Sequence, residues 1–237
     1  MTERLYERDA YLKETDACVT AVSENGIELD RTVFYARGGG QPGDSGRLLT
    51  EAGLEIPIID TVKGEGAAVL HLPTPGAALG ALKAGDRVTA SIDWDRRHRH
   101  MRMHTALHLL CAVVGAPVTG GNLSADKGRL DFDLPESGID RDALTRALNE
   151  LIAADTETAL EWISDDALAA QPELVKTLSV QPPTGTGAVR LLRIPGVDLQ
   201  PCGGTHVART GEIGAVRVTK IEKKSRLNRR ISIELDG

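Results

Sequence analysis

The sequence predicts an α+β chain, with a small β-barrel-like domain over residues 1–92 and an α+β domain over residues 93–237. Three observations carry this expectation. Short β-branched runs separated by Gly, Pro and Asn fill the first part of the chain, a spacing that suits a small barrel. A stretch from Asp95 to Val114 contains neither Gly nor Pro. Beyond it, helical and strand-like segments follow one another without regular alternation, which argues against a doubly wound sheet.

In order, Ala17 to Ser23 and Ile27 to Ala36 read as strands around Glu24-Asn25-Gly26, an Asn-Gly pair that favours a tight hairpin. The Gly-rich stretch from Arg37 to Gly46 comes next. Strand-like pieces at Ile56 to Val62, Ala67 to Leu72 and Arg87 to Ile92 complete the barrel set. One long helix is expected up to Val114, stopped by Gly115-Ala116-Pro117. A loop leads to a strand at Gly128 to Leu134. Arg141 to Ala154 carries Leu144, Leu148, Leu151 and Ile152 at helical spacing. Ala188 to Ile194 reads as a strand ended by Pro195-Gly196, and Gly214 to Glu222 and Arg229 to Leu235 read as two more.

A chain of 237 residues can bury a sizeable core, and its 41% hydrophobic and 26% charged residues suit a soluble globular protein. A net charge of -6 does not mark the whole chain as a nucleic-acid binder, but distribution matters more than the sum. Arg96, Arg97, Arg99 and Arg102 form one basic stretch, and Lys220, Lys223, Lys224, Arg226, Arg229 and Arg230 another. Each alone reads equally well as a solvated face. The charged start, MTERLYERDAYL, is no secretory signal, and no apolar run approaches the roughly 20 residues of a membrane span. Three widely spaced cysteines do not build a disulfide framework. A cytoplasmic protein is expected, without a membrane and without an obligate protein partner.

The chemistry-bearing residues fall in two compact pairs. His104 and His108 stand four apart on the long helix, so they project from one face. Cys202-Gly203-Gly204-Thr205-His206 places two more donors four apart around paired glycines, which permit a tight turn with positive φ. Two imidazoles from a helix, with a thiolate and an imidazole from a turn, make a plausible tetrahedral zinc set; sulfur with imidazole disfavours magnesium and calcium. By itself a helical His pair is more often an ordinary buried or surface pair, so the residues alone leave both readings open. His100 shares the face and reads as an RNA contact or a surface residue, Cys111 as packing near the site, and Cys18 as core.

These motifs reach a resemblance. Asp93-Trp94-Asp95-Arg96-Arg97 and Met101 to Leu110 resemble the start of the editing domain of alanyl-tRNA synthetases, and still more their free-standing relatives, the alanyl-tRNA editing proteins of the AlaX type, medium-length class. Cys202 to Val207, followed by Thr210-Gly211-Glu212-Ile213-Gly214, is similar to the second metal motif of that family, and Gly38 to Gly46 resembles its Gly-rich motif. The resemblance implies a zinc-containing editing domain with His104, His108, Cys202 and His206 on one Zn2+, and hydrolysis of the ester joining a wrong amino acid to alanine tRNA. It leaves no room for an aminoacylating core, so action in trans is expected. It also implies that Thr119, in the loop after the long helix, reads a serine hydroxyl. Gln41 and Asp44 would border the site, and Asp198 and Gln200 would orient a zinc histidine. The acceptor stem would run along Arg96, Arg97, Arg99, Lys223, Lys224, Arg226, Arg229 and Arg230. Two rivals remain: serine removal from threonine tRNA, and a zinc-stabilised RNA-binding module without catalysis.

Overall fold

A computed structural model describes residues 2–77, 79–135, 138–178 and 187–236. By their contacts the residues group into two compact units, Met1–His98 and Arg99–Gly237.

The first unit is a closed barrel of six strands: β1 (Glu14–Ser23), β2 (Gly26–Leu29), β3 (Gly46–Thr50), β4 (Glu55–Lys63), β5 (Val69–Pro73) and β6 (Arg87–Ile92). They pair antiparallel in the order β1-β2-β5-β4-β3-β6 and back to β1. Alternate residues, among them Val19, Ile27, Leu48, Ile56, Val88 and Ala90, fill its interior. Closure removes the open edges that such short strands would otherwise expose. The hairpin forms where the Asn-Gly pair placed it, with Ser23 opposite Gly26 at φ +134°.

The expected strand from Ile27 to Ala36 is shorter. The Asp30 carboxylate accepts from the Cys18 N–H at 2.7 Å, and the chain leaves the ladder after Leu29. Arg31–Thr32 then pairs in parallel with Glu3–Arg4, and Val33 to Ala36 are buried outside any strand. The Gly-rich run hid β3 from a reading by β-branched residues. In that run a Cβ at Gly43 would strike the Thr61 carbonyl oxygen, so close packing alone demands glycine there.

The second unit holds most of α1 (Trp94–Val114), then β7 (Val118–Leu123), β8 (Lys127–Asp133), α2 (Arg141–Ala153), β9 (Ala159–Ile163), α3 (Asp165–Ala169), β10 (Val189–Ile194), β11 (Asp198–Pro201), β12 (Val216–Lys223) and β13 (Asn228–Leu235). Two sheets result, one in the order β12-β13-β8-β7 and one in the order β9-β10-β11. The chain is thus α+β with an N-terminal barrel, as the irregular succession of elements predicts. The loop expected after α1 is instead β7. Strands β9 and β11 are too short, at 5 and 4 residues, to stand out in the sequence.

From Met101 onward α1 is enclosed: Met101, Met103, Leu109 and Leu110 are fully buried, and His104 and His108 nearly so. A helix wrapped on several sides is a rigid mount. Gly128 in β8 lets it approach the sheet, since a Cβ there would come within 2.6 Å of Met103 Sδ. No helix among the described residues is long and apolar enough to cross a membrane.

His71 gives the barrel a measurable property. It is fully buried; its Nδ1 donates to the Ile27 carbonyl at 2.9 Å, so Nε2 accepts from the Thr32 hydroxyl at 2.8 Å. Burial lowers its pKa to about 4. The folded ring therefore resists a proton that the unfolded chain accepts from about pH 6.5 downward. Stability from this residue is full above that pH and falls, by about 3 kcal/mol, as pH drops through 4. Urea unfolding between pH 7 and 4 should show this slope, and His71→Gln should flatten it.

Candidate metal centre

Helix α1 brings two of the four donors, because residues four apart lie one turn above the other on one face. His104 and His108 have ring centroids 5.3 Å apart. The segment after β11 brings the others: the His206 ring lies 4.4 Å from that of His104 and 4.9 Å from that of His108. Cys202 Sγ stands 3.2 Å from His206 Nε2 and 3.6 Å from His104 Nε2. One donor atom from each of the four residues lies within 4.8 Å of all the others.

This donor set fits a tetrahedral ion. Zinc–nitrogen bonds near 2.1 Å and zinc–sulfur bonds near 2.3 Å put neighbouring donors about 3.5 Å apart. The two sulfur–nitrogen separations fall on either side of that figure. Imidazole and thiolate are also the donors that suit a borderline-soft ion rather than an oxygen-seeking one.

Hydrogen bonds with surrounding residues fix which nitrogen points inward on two of the rings, those of His108 and His206. The Asp198 carboxylate accepts from His108 Nδ1 at 2.9 Å, which leaves Nε2 to face the cluster. Asp198 is itself held by Lys176 Nζ at 2.5 Å and by Gln200 Nε2 at 2.7 Å. Burial raises the Asp198 pKa, but the bonds from His108 and Lys176 outweigh it and bring it down to about 2.

Thr105 does the same for His206. Its hydroxyl donates to the Met101 carbonyl at 2.9 Å, a bond only an O–H can make there. The oxygen then accepts from His206 Nδ1 and from Val207 N–H, each at 3.3 Å. His206 Nε2 is left with its lone pair toward Cys202.

Electrostatics prepares the donors. Burial opposes charge on Cys202, yet the three histidines hold its thiol well below the usual range, which favours the ligating thiolate form. Burial pushes His206 down to about 3, which keeps it neutral and able to ligate. Burial also opposes the charge on His108, but the thiolate and Asp198 prevail and raise it to about 9. Ligation by His108 needs its neutral form, so metal binding there displaces a proton.

The turn from Cys202 to His206 is not aimed by positive φ. Neither Gly203 nor Gly204 is among the residues with positive φ, so that expectation is corrected. Arg190 aims it instead: its buried guanidinium donates to the Cys202 carbonyl at 3.0 Å and to the Gly204 carbonyl.

Thr119 lies in β7 rather than in a loop. Its hydroxyl donates to the Asp131 carbonyl at 3.1 Å and accepts from Asn228 Nδ2 at 2.7 Å. In the first unit Asp44 is buried, and its carboxylate accepts from Arg97 Nε at 2.9 Å and from Tyr35 N–H at 2.7 Å. Gln41 is equally buried, in a tight pairing of its backbone with Gly38. Two expected RNA contacts are corrected. Arg97 is fully buried against Asp44 and the Val33 carbonyl, where no phosphate can reach it. Arg229 is 6% exposed and spends its guanidinium on the carbonyls of Ser225, Asn228 and Pro135. His100, at 2% exposure, is a buried residue as well.

Comparison with known proteins places the chain. A family model described as the second additional domain of threonyl and alanyl tRNA synthetases matches residues 189–232, and one for class II (A) tRNA synthetases matches residues 9–96. These define a synthetase-related chain. The "Alanyl-tRNA editing protein AlaX-M" of Methanosarcina acetivorans is 40% identical, covering 99% of both chains. Its namesake from Saccharolobus solfataricus is 35% identical, covering 98% of both. An "Alanine--tRNA ligase" of Saccharolobus islandicus is 32% identical over 94% of this chain but only 25% of its own length. The chain belongs to the AlaX-M family of alanyl-tRNA editing proteins.

Sequence reasoning placed the four donors and, by their nearness to Cys202, Asp198 and Gln200. It missed Thr105, Lys176 and Arg190. A threonine directly between two helical histidines was the available signal for the first; nothing in the sequence marks the other two.

Two predictions follow from these contacts. Thr105→Val should weaken zinc affinity about tenfold or more in a chelator competition, while Thr105→Ser keeps it, because only the oxygen matters. Asp44→Ala should cost about 3–5 kcal/mol in urea unfolding by stranding the buried Arg97 charge, whatever its effect on activity.

Proposed function

We propose that this chain hydrolyses mischarged alanine tRNA in trans, removing serine, and glycine too, from the terminal adenosine with a zinc ion in the centre. The observation that carries the reading is the cluster of His104, His108, Cys202 and His206, with ordered tautomers, in a chain of the AlaX-M family.

The need for such an activity is physical. A pocket shaped for alanine admits glycine and rejects serine weakly, because one added hydroxyl changes binding little. A second site that favours serine must hydrogen-bond that hydroxyl, so that alanine would leave a buried polar group unpaired. Thr119 is the proposed reader. Its own proton is committed to the Asp131 carbonyl, so it would meet the serine hydroxyl as an acceptor. Gln41 is kept as a second proposed contact. Asp44 is instead assigned to holding Arg97 and the Gly-rich stretch, since its carboxylate is already engaged there.

A zinc ion, when bound, supplies Lewis acidity to the scissile ester. The protein's part is to hold the donors. His104 and His108 give a rigid edge, Cys202 and His206 the opposing one, and Asp198 and Thr105 keep both Nε2 lone pairs inward. Four protein donors close a tetrahedral shell, so one must yield if an oxygen is to enter. Cys202 is the proposed one: its thiolate dampens Lewis acidity, and it stands on a turn rather than on the buried helix. The exposed Arg99, Lys223, Lys224 and Arg226, with the partly exposed Arg96 and Arg230, are the proposed phosphate contacts.

Serine removal from threonine tRNA is the nearest rival, because one matched domain is common to both synthetases. Full-length likeness to proteins named for alanyl-tRNA editing favours alanine. Deacylation of Ser-, Gly- and Ala-charged alanine tRNA, with and without chelator, tests the reading. Serine and glycine should be cleared and alanine spared; chelator or His206→Ala should slow clearance at least about a hundredfold. Equal clearance of all three, or full activity after His104→Ala, would end it. Serine on threonine tRNA should be cleared far more slowly.

A further inference from the structure

The sheet β9-β10-β11 has two unlike faces. On one, Val189, Leu191 and Ile163 pack with Leu168 and Leu174 in a small apolar core. The other carries the metal centre. Along β11, Asp198 and Gln200 point to this face, and Cys202 continues the alternation just beyond the strand. The register extends the face across the sheet. Gln200 pairs with Leu192, which pairs with Leu160; Cys202 bonds through its N–H to the Arg190 carbonyl, and Arg190 pairs with Trp162. Directly opposed residues share a face. Trp162, Arg190 and Cys202 therefore form one row, and two strand spacings separate its ends, about 10 Å.

The metal-bearing turn crosses this same face. It leaves β11 at Cys202, is gripped at Gly204 by Arg190, and reaches the far side of the sheet, where Thr158 N–H bonds the Ala208 carbonyl at 2.8 Å. Arg190 and Leu192 beneath it are buried, but on edge strand β9 Trp162 is 51% exposed and Leu160 37%. The chain has only 2 Trp, 3 Tyr and 2 Phe. Trp162 is the one aromatic among the exposed large apolar side chains of the described residues.

We propose that Trp162, with Leu160 beside it, is a stacking platform for an unpaired nucleobase at the acceptor end of the tRNA. This rests on the function proposed above: an ester held at the metal centre leaves the bases next to it within one or two nucleotide lengths, the reach of this row. A flat indole offers a π-face to any base, so the platform adds affinity without reading sequence. It also gives the exposed tryptophan on edge strand β9 a physical purpose.

The test uses the full chain and a single-stranded oligonucleotide ending in CCA. Saturable quenching of tryptophan emission is expected in the native protein and should vanish in Trp162→Phe, which leaves Trp94 as the reporter. In deacylation of serine-charged alanine tRNA, Trp162→Ala should raise KM roughly fivefold to a hundredfold with kcat unchanged, the range for loss of one base stack. Trp162→Phe should lie between, since phenylalanine still stacks. An unaltered thermal midpoint in both variants shows that the fold persists. Unchanged KM in an active Trp162→Ala protein overturns the proposal, as does equal quenching in Trp162→Phe. A Trp162→Ala change that alters only oligomeric state would mark a contact between copies instead and equally overturn it. Failure of the native protein to deacylate would defeat the functional reading, while the oligonucleotide titration would still decide the platform.

Discussion

Convergence of one buried helix and one distant turn on a common point is the constraint from which the rest of the second unit follows. Three imidazoles and a thiol packed within 4.8 Å of one another are a poor core unless something binds them together. Burying polar groups without partners costs free energy, and like groups this close repel when charged. The arrangement holds because three of the four donors, His108, His206 and Cys202, are ordered from behind. Asp198 and Lys176 sit behind His108, Thr105 behind His206, and Arg190 behind the turn. Asp198, Thr105 and Arg190 are mounted on β11, α1 and β10, so the geometry of the site is largely inherited from that of the fold.

The charges within this shell also balance. Asp198 carries a negative charge beside the cluster, and Lys176 answers it. Against the cost of burial, the histidines lower the Cys202 thiol, and Cys202 with Asp198 raises His108. Burial holds His206 down to about 3. In the barrel a different pair, Arg97 with Asp44, meets the same demand by mutual neutralisation.

Much of this was legible in the sequence, and the reasons differ by element. The barrel strands β4, β5 and β6 and helix α1 declare themselves by residue type and by the absence of breakers. The donors declare themselves by spacing, since four residues make one helical turn. β3 stayed hidden because it begins in a run of glycines whose role, seen at Gly43, is to admit a neighbouring strand. β7 and β11 stayed hidden because polar residues serve there as partners of other groups, and β9 because it is only 5 residues long. The basic stretches misled for a related reason. A guanidinium is as useful for capping carbonyls inside the fold, as at Arg229 and Arg190, as for holding phosphate outside it. Composition cannot separate those uses; only exposure does.

The central claim, that these four side chains grip one ion, is tested most directly by X-ray absorption at the zinc edge of the purified, metal-loaded protein. The account predicts about three nitrogen donors near 2.1 Å and one sulfur near 2.3 Å, with the sulfur contribution lost in Cys202→Ser. A first shell made of oxygen donors, or a sulfur signal that survives that substitution, would contradict it.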